Sequence, residues 1–142
     1  TSGGTESDNF AIRGAAEALE RTGRRQVVTS AIEHEAVLNT VKALGKRGWE
    51  TTFLAVDQSG IVSTEALGAA LTDTTAVVSV MHANNEIGTI QPIAPPLRQV
   101  ARAWSRRLAA AQTIAVVEEG GRTVSLGDIL GPEFAAAPAL LH

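Results

Sequence analysis

The 142-residue sequence contains no cysteine. That excludes disulfides, thiolate metal centres and a cysteine nucleophile within the chain, and it agrees with a reducing, cytoplasmic setting. No apolar run approaches the roughly 20 residues needed to cross a bilayer, so no membrane association is expected. Positive charge is in deficit: twelve Lys and Arg stand against fifteen Asp and Glu, a net charge of −3. Nucleic-acid binding needs a basic face, so no nucleic-acid partner is expected. No lysine follows Lys46. The first residue, Thr1, is preceded by no Met, basic n-region or apolar leader, and the chain opens on a glycine loop of the kind that follows a strand. A cut start is therefore expected. Internal repeats and low-complexity segments are missing too.

What is present is enough apolar sequence to build a core, 44% against 19% charged. Thr1–Ser7 reads as a small-residue loop. Ile12, Ala15, Ala16 and Leu19 then recur at the spacing of one helix face, ending near Gly23. Gln26–Ile32 has the β-branched content of a buried strand. A helix over His34–Gly48 turns Val37, Leu38, Val41 and Leu44 inward and leaves Lys42 and Lys46 outside. Thr51–Val56 is a second strand, Asp57–Gly60 a turn, and Ser63 or Thr64 caps a short helix with Leu67 and Leu71. Thr75–Met81 is the most strand-like run. After the polar loop His82–Pro92, Pro95 fits the first turn of a helix with Leu97, Val100, Ala101, Trp104 and Leu108, whose outer stripe is Arg98, Arg102 and Arg106. Beyond Ala109 only Thr113–Val117 resembles a strand, and Phe134–His142 offers little that would pack. Alternating strands and helices predict an α/β layer with a mostly parallel sheet flanked by helices. Ligands on such sheets gather beyond the carboxyl ends of the strands.

Three polar segments fall there. Gly3-Gly4-Thr5 precedes a helix, where free N–H groups and the Thr5 hydroxyl would hold an anion; an ordinary helix start capped by Thr5 or Ser7 has the same composition. His34, after a strand, could stack on a flat cofactor or move a proton, or simply bond to backbone at a helix start. In His82-Ala83-Asn84-Asn85-Glu86, Asn85 could donate to a ligand and Glu86 could order the loop; a solvated turn is the alternative. Metal binding by His34, His82 and Glu86 lacks HxxxH or HxH spacing, so no metal is assigned.

Together the segments Thr1–Asn9, Val28–Leu38 and Val78–Pro92 resemble, in order and separation, the cysteine desulfurases of the class V aminotransferase family. The resemblance covers residues 1–108 and implies a partial large domain of the fold type I transferases dependent on pyridoxal 5'-phosphate. It implies that Gly4 and Thr5 bind the cofactor phosphate, that His34 stacks on the ring and takes part in proton transfer, and that Asn85 bonds near the ring's phenolic oxygen. The family passes sulfur from L-cysteine to an enzyme cysteine, leaving alanine, as a homodimer that serves iron–sulfur cluster assembly. Selenocysteine lyase or another class V member is the alternative within the family, since the part of the family's chain that selects the substrate has no counterpart here.

The departures are as specific. The family's Asp partner of the ring nitrogen falls where this sequence has Ala109, within Leu108-Ala-Ala-Ala-Gln112, and Gln112 is retained as a candidate cofactor contact. The family's Schiff-base lysine and persulfide cysteine have no counterpart. An incomplete enzyme, inactive alone, is expected, with residues 109–142 a divergent or rearranged tail; a non-catalytic module for phosphorylated ligands is the alternative.

Overall fold

The computed structural model describes residues 1–97, 99–100, 103, 114–119 and 122–124. Helix α1 (Gly4–Glu20) leads into strand β1 (Gln26–Ser30), then α2 (Glu35–Lys46), β2 (Glu50–Leu54), α3 (Thr64–Ala70) and β3 (Thr75–Ser79). A wide helical turn, Ile93–Leu97, follows, and strands β4 (Ile114–Glu119) and β5 (Arg122–Val124) complete the sheet. The strand order is β2-β1-β3-β4-β5. All neighbours pair in parallel except β4 and β5, which run antiparallel.

β1 and β3 are buried at every residue because they are central and covered on both faces. Under one face, Ile12, Ala15, Ala16 and Leu19 of α1 and Val37, Val41 and Leu44 of α2 pack with Val27, Ala76 and Val77. Under the other, Leu67 and Leu97 pack with Val28, Leu54, Val62, Val78 and Val80. Each buried Val, Leu or Ile side chain contributes about 1.5–3 kcal/mol, so these two layers hold the sheet rigid beneath its loops.

Several boundaries differ from the sequence reading. Helix α1 starts at Gly4, inside the expected Thr1–Ser7 loop: extended Gly3 is its N-cap, and Ser7 N–H closes the first turn on Gly3 O at 3.1 Å. Neither Thr5 nor Ser7 caps it; both lie within the helix, where Glu6 suits the positive N-terminal end. Leu38 is only half-buried, while Ala36 and Thr40 join the inward face of α2. Pro95 does not open a regular α-turn. With Pro95 and Pro96 lacking amide donors, Leu97 N–H reaches back to Pro92 O at 3.4 Å in a π-type turn. The expected contributions of Ala101, Trp104 and Leu108, the arginines 98, 102 and 106, and the segment Phe134–His142 lie outside the described residues. β4 extends past the expected Thr113–Val117, and β5 was not foreseen.

Two polar devices fasten the connection from β2 to α3. Asp57 Oδ1 accepts from Ser59 N (2.8 Å) and Ile61 N (2.9 Å), closing the turn. Gln91, 1% exposed, accepts from Val62 N at 3.0 Å and donates to Gly60 O at 2.6 Å, and Thr89 Oγ1 donates to Ser59 O at 2.7 Å. Gly60 sits there at φ +79°, and a Cβ on it would lie 2.8 Å from both Ile87 Cδ1 and Thr89 Oγ1. At the other end of the sheet, buried Gln26 donates to Ala70 O (3.1 Å) and accepts from the Thr72 hydroxyl (2.9 Å).

Gln91→Ala strands one buried N–H and one buried C=O, and should lower the unfolding free energy by about 2 kcal/mol in urea titrations. Lys42→Ala, exposed on α2, should stay within about 0.5 kcal/mol. The Glu65 carboxyl lies below the usual carboxylate range, held first by its own backbone N–H and then by the Thr64 and Ser63 hydroxyls. A depressed carboxyl stabilises above its unfolded value and loses that contribution as pH falls through the folded one. Amide protection of α3 should therefore decline below about pH 4, and Glu65→Gln should flatten the decline.

Candidate functional site

Sheet growth reverses between β1 and β3. From β1 the chain passes through α2 to β2 on one side, and it returns past β1 to place β3 on the other. α2 then packs under one face while the Ile93–Leu97 turn packs under the opposite one. The loops leaving β1 and β3 diverge, and a crevice opens between them at the carboxyl ends of the strands. It is a cavity of about 540 Å³ lined by residues 31–35, 38 and 84–87, among them His34, Asn84, Asn85 and Glu86.

His34 is the N-cap of α2. Its Nδ1 accepts from Ala36 N–H at 3.1 Å, which leaves the ring proton on Nε2. His34 is therefore a backbone-bonded histidine at a helix start, and the same bond fixes the ring at the mouth of the crevice. His34 and Glu35 also border a second depression of about 320 Å³, whose far wall is Thr5, Asn9 and Arg13 of α1. The two helices are tied there: Asn9 donates to Thr5 O at 2.8 Å and accepts from Thr40 Oγ1 at 2.7 Å. α1 begins without a side-chain cap, and a Cβ on Gly3 would meet nothing within 4 Å. Gly4 and Thr5 are thus the first two residues of a helix whose end is open. Glu6 stands beside them, its carboxyl below the usual range through the hydrogen bond from Ser2 N–H.

Thr5 meets His34 across one depression and Asn85 meets His34 across the other; His34 is the hinge of the pair. Asn85 is exposed and lines the cavity. Gln112 lies outside the described residues. Glu86 does not order the loop as expected. It is exposed, and the organising group is its neighbour Asn84, 8% exposed. Asn84 Oδ1 accepts from Glu86 N (2.8 Å) and Ile87 N (3.0 Å), and its Nδ2 donates to Ile32 O (2.8 Å). Asparagine is suited to this by its reach to backbone two residues on, a signal present in the sequence but equally shared by Asn85. Glu33 was also missed. It is buried and accepts from Ser30 Oγ at 2.8 Å and Met81 N at 2.6 Å. Among the described residues no three His, Asp or Glu side chains gather as a metal site, and no helix is long and apolar enough to cross a membrane.

The chain resembles known proteins over this same region. It is 53% identical over 93 residues, 66% of its length, to the cysteine desulfurase IscS of Clostridium botulinum strain Hall, of which it covers 23%. The crystal structure of DndA from Streptomyces lividans superposes with a TM-score of 0.69 at 44% identity, over 84% of this chain and 31% of that one. SspA in complex with cysteine superposes with a TM-score of 0.76 at 29% identity, over 92% and 36% respectively. The chain thus spans about a quarter of the length of the curated relatives it matches. The family model for class V aminotransferases matches residues 1–114, through the start of α1 and both loops of the crevice, and the chain belongs to that family.

Proposed function

We propose that the crevice receives pyridoxal 5'-phosphate and that this chain supplies the phosphate-and-ring half of a cysteine desulfurase acting on L-cysteine. The observation that carries the reading is the placement of His34 between two adjoining depressions, one ending on the open start of α1 and the other on Asn85. The residues present suit the group. Free N–H donors and the Thr5 hydroxyl at a helix start with no side-chain cap are chemistry for a phosphate. An imidazole fixed through Nδ1 offers a flat face for an aromatic ring. A cavity of about 540 Å³ is of the size that takes small cofactors.

In this reading Gly4 and Thr5 hold the phosphate, His34 supports the ring, and Asn85 donates to a ring oxygen. When bound, the cofactor supplies an electron sink for charge developing at the amino acid's α-carbon. The protein's part is orientation and proton management. With Nδ1 engaged by Ala36 N–H, His34 offers Nε2–H to the crevice as a hydrogen-bond donor, and proton transfer through the ring requires Nδ1 to give up Ala36 N–H and take a proton as Nε2 releases one. Across the complete reaction the sulfur leaves cysteine for an enzyme thiol, so that alanine and a persulfide result. The bound cysteine in the similar SspA structure supports that substrate class; selenocysteine, with its like shape, is the alternative. Residues 1–108 then form a partial cofactor-binding domain and 109–142 a divergent tail. A homodimer in the cytoplasm is the proposed setting. With no cysteine and no lysine beyond Lys46, the 142 residues are proposed not to turn over cysteine by themselves.

Equilibrium dialysis tests the cup. Pyridoxal 5'-phosphate should bind saturably and be displaced by inorganic phosphate, and Thr5→Ala should weaken both ligands about tenfold. Non-saturable uptake, or uptake indifferent to Thr5→Ala, rejects the site. His34→Asn keeps an N-cap for α2 while removing the ring. It should retain the melting temperature and phosphate affinity yet lose about tenfold in affinity for pyridoxal 5'-phosphate.

A further inference from the structure

Each side chain assigned to ligand contact in the crevice directly follows a buried polar residue that crosses it. Glu33 precedes His34, and Asn84 precedes Asn85. Glu33 belongs to the loop after β1, yet its Oε1 accepts the backbone N–H of Met81, on the β3 side, at 2.6 Å. Asn84 belongs to the loop after β3, yet its Nδ2 donates to the backbone carbonyl of Ile32, on the β1 side, at 2.8 Å. Each loop thus sends one side chain to the other's backbone, and in both bonds the β3 side donates and the β1 side accepts. Both residues are more than nine-tenths buried, at 7% and 8% exposed, so water competes poorly for either bond.

From this we propose that Glu33 and Asn84 are positioning residues, a reciprocal brace that sets the separation of His34 from Asn85 before any ligand arrives. The proposal rests on the reading of the crevice as a cofactor site, but the brace itself is a property of the free chain. Two loops that diverge beyond the sheet have no ladder hydrogen bonds to hold them together. A preorganised pair spares the ligand the cost of ordering the loops. The acceptor geometry of Glu33 is what the brace uses: a glutamine oxygen at the same place can accept from Met81 N and Ser30 Oγ equally well. At Asn84 the donor is what matters. Aspartate there keeps the oxygen that takes the Glu86 and Ile87 N–H groups but turns a second oxygen toward Ile32 O.

Because the chain has no cysteine, spin labels can be attached at will. Lys42→Cys on α2 and Ile90→Cys on the loop after β3 are both exposed. The label-to-label distance distribution, measured without ligand, should be narrow in the parent, broadened by Glu33→Ala and by Asn84→Asp, and narrow again in Glu33→Gln. The affinity for pyridoxal 5'-phosphate should fall about tenfold in the two broadened variants, with inorganic phosphate, held at α1, changing less than about twofold. Should Glu33→Ala fail to fold, Asn84→Asp against Glu33→Gln makes the same comparison. Unchanged distributions in the folded variants, or equal losses for both ligands, overturn the brace. If the parent takes up no pyridoxal 5'-phosphate, the cofactor reading falls, and the distance distributions still decide the brace.

Discussion

Parallel pairing of β1 with β3, in the register Val27 to Val77, Val28 to Val78 and Thr29 to Ser79, is the constraint from which the rest follows. Parallel neighbours release their chains at the same edge, and these two release them toward helical segments on opposite faces. A gap between the exits is then unavoidable. Burial of both strands on both faces keeps the gap in place, because sliding either strand by one residue would turn Val28 and Val78 away from one layer and Val27 and Val77 away from the other.

The sheet's apolar layers say little about chemistry; the buried polar side chains at its edges say more. Gln26 at one end and Glu33, Asn84 and Gln91 at the other each bond to backbone or side chains distant in sequence. Burying such groups is costly unless they are paired, so their presence at loop roots marks the places where backbone must be held without a ladder. At the site end this leaves His34 and Asn85, both lining the cavity, free of structural duty except for the Nδ1 bond of His34.

Much of this was legible in the residues. Ile12, Ala15, Ala16 and Leu19 announced α1, the β-branched runs announced β1 and β3, and the Ser63-Thr64 pair announced the start of α3, with Ser63 the actual cap, since each depends on periodicity or capping within a few residues. Three segments that share an order in one family also drew Thr5, His34 and Asn85 into one region. Less legible was anything fixed by contacts across the sequence. Asn84 and Asn85 are adjacent and chemically identical, and only the nearness of Ile32 O tells which one is structural. Nothing local marks Glu33, whose role depends on Met81 N–H, 48 residues further on. The start of α1 at Gly4 escaped notice because glycine and threonine are poor helix formers, and the first turn forms on the strength of Gly3 and Glu6 instead.

Gly60 makes no contact with the proposed ligand, yet it shapes the wall that would. The missing side chain is what lets Ile87 and Thr89 settle against the turn after β2. Any larger residue there would act as a shim beneath the loop that carries Asn85, tilting it from behind. The polar rim of the crevice is therefore geared to a turn on the far side of β1, and evolutionary drift in that turn could retune recognition without altering a single ligand-facing group.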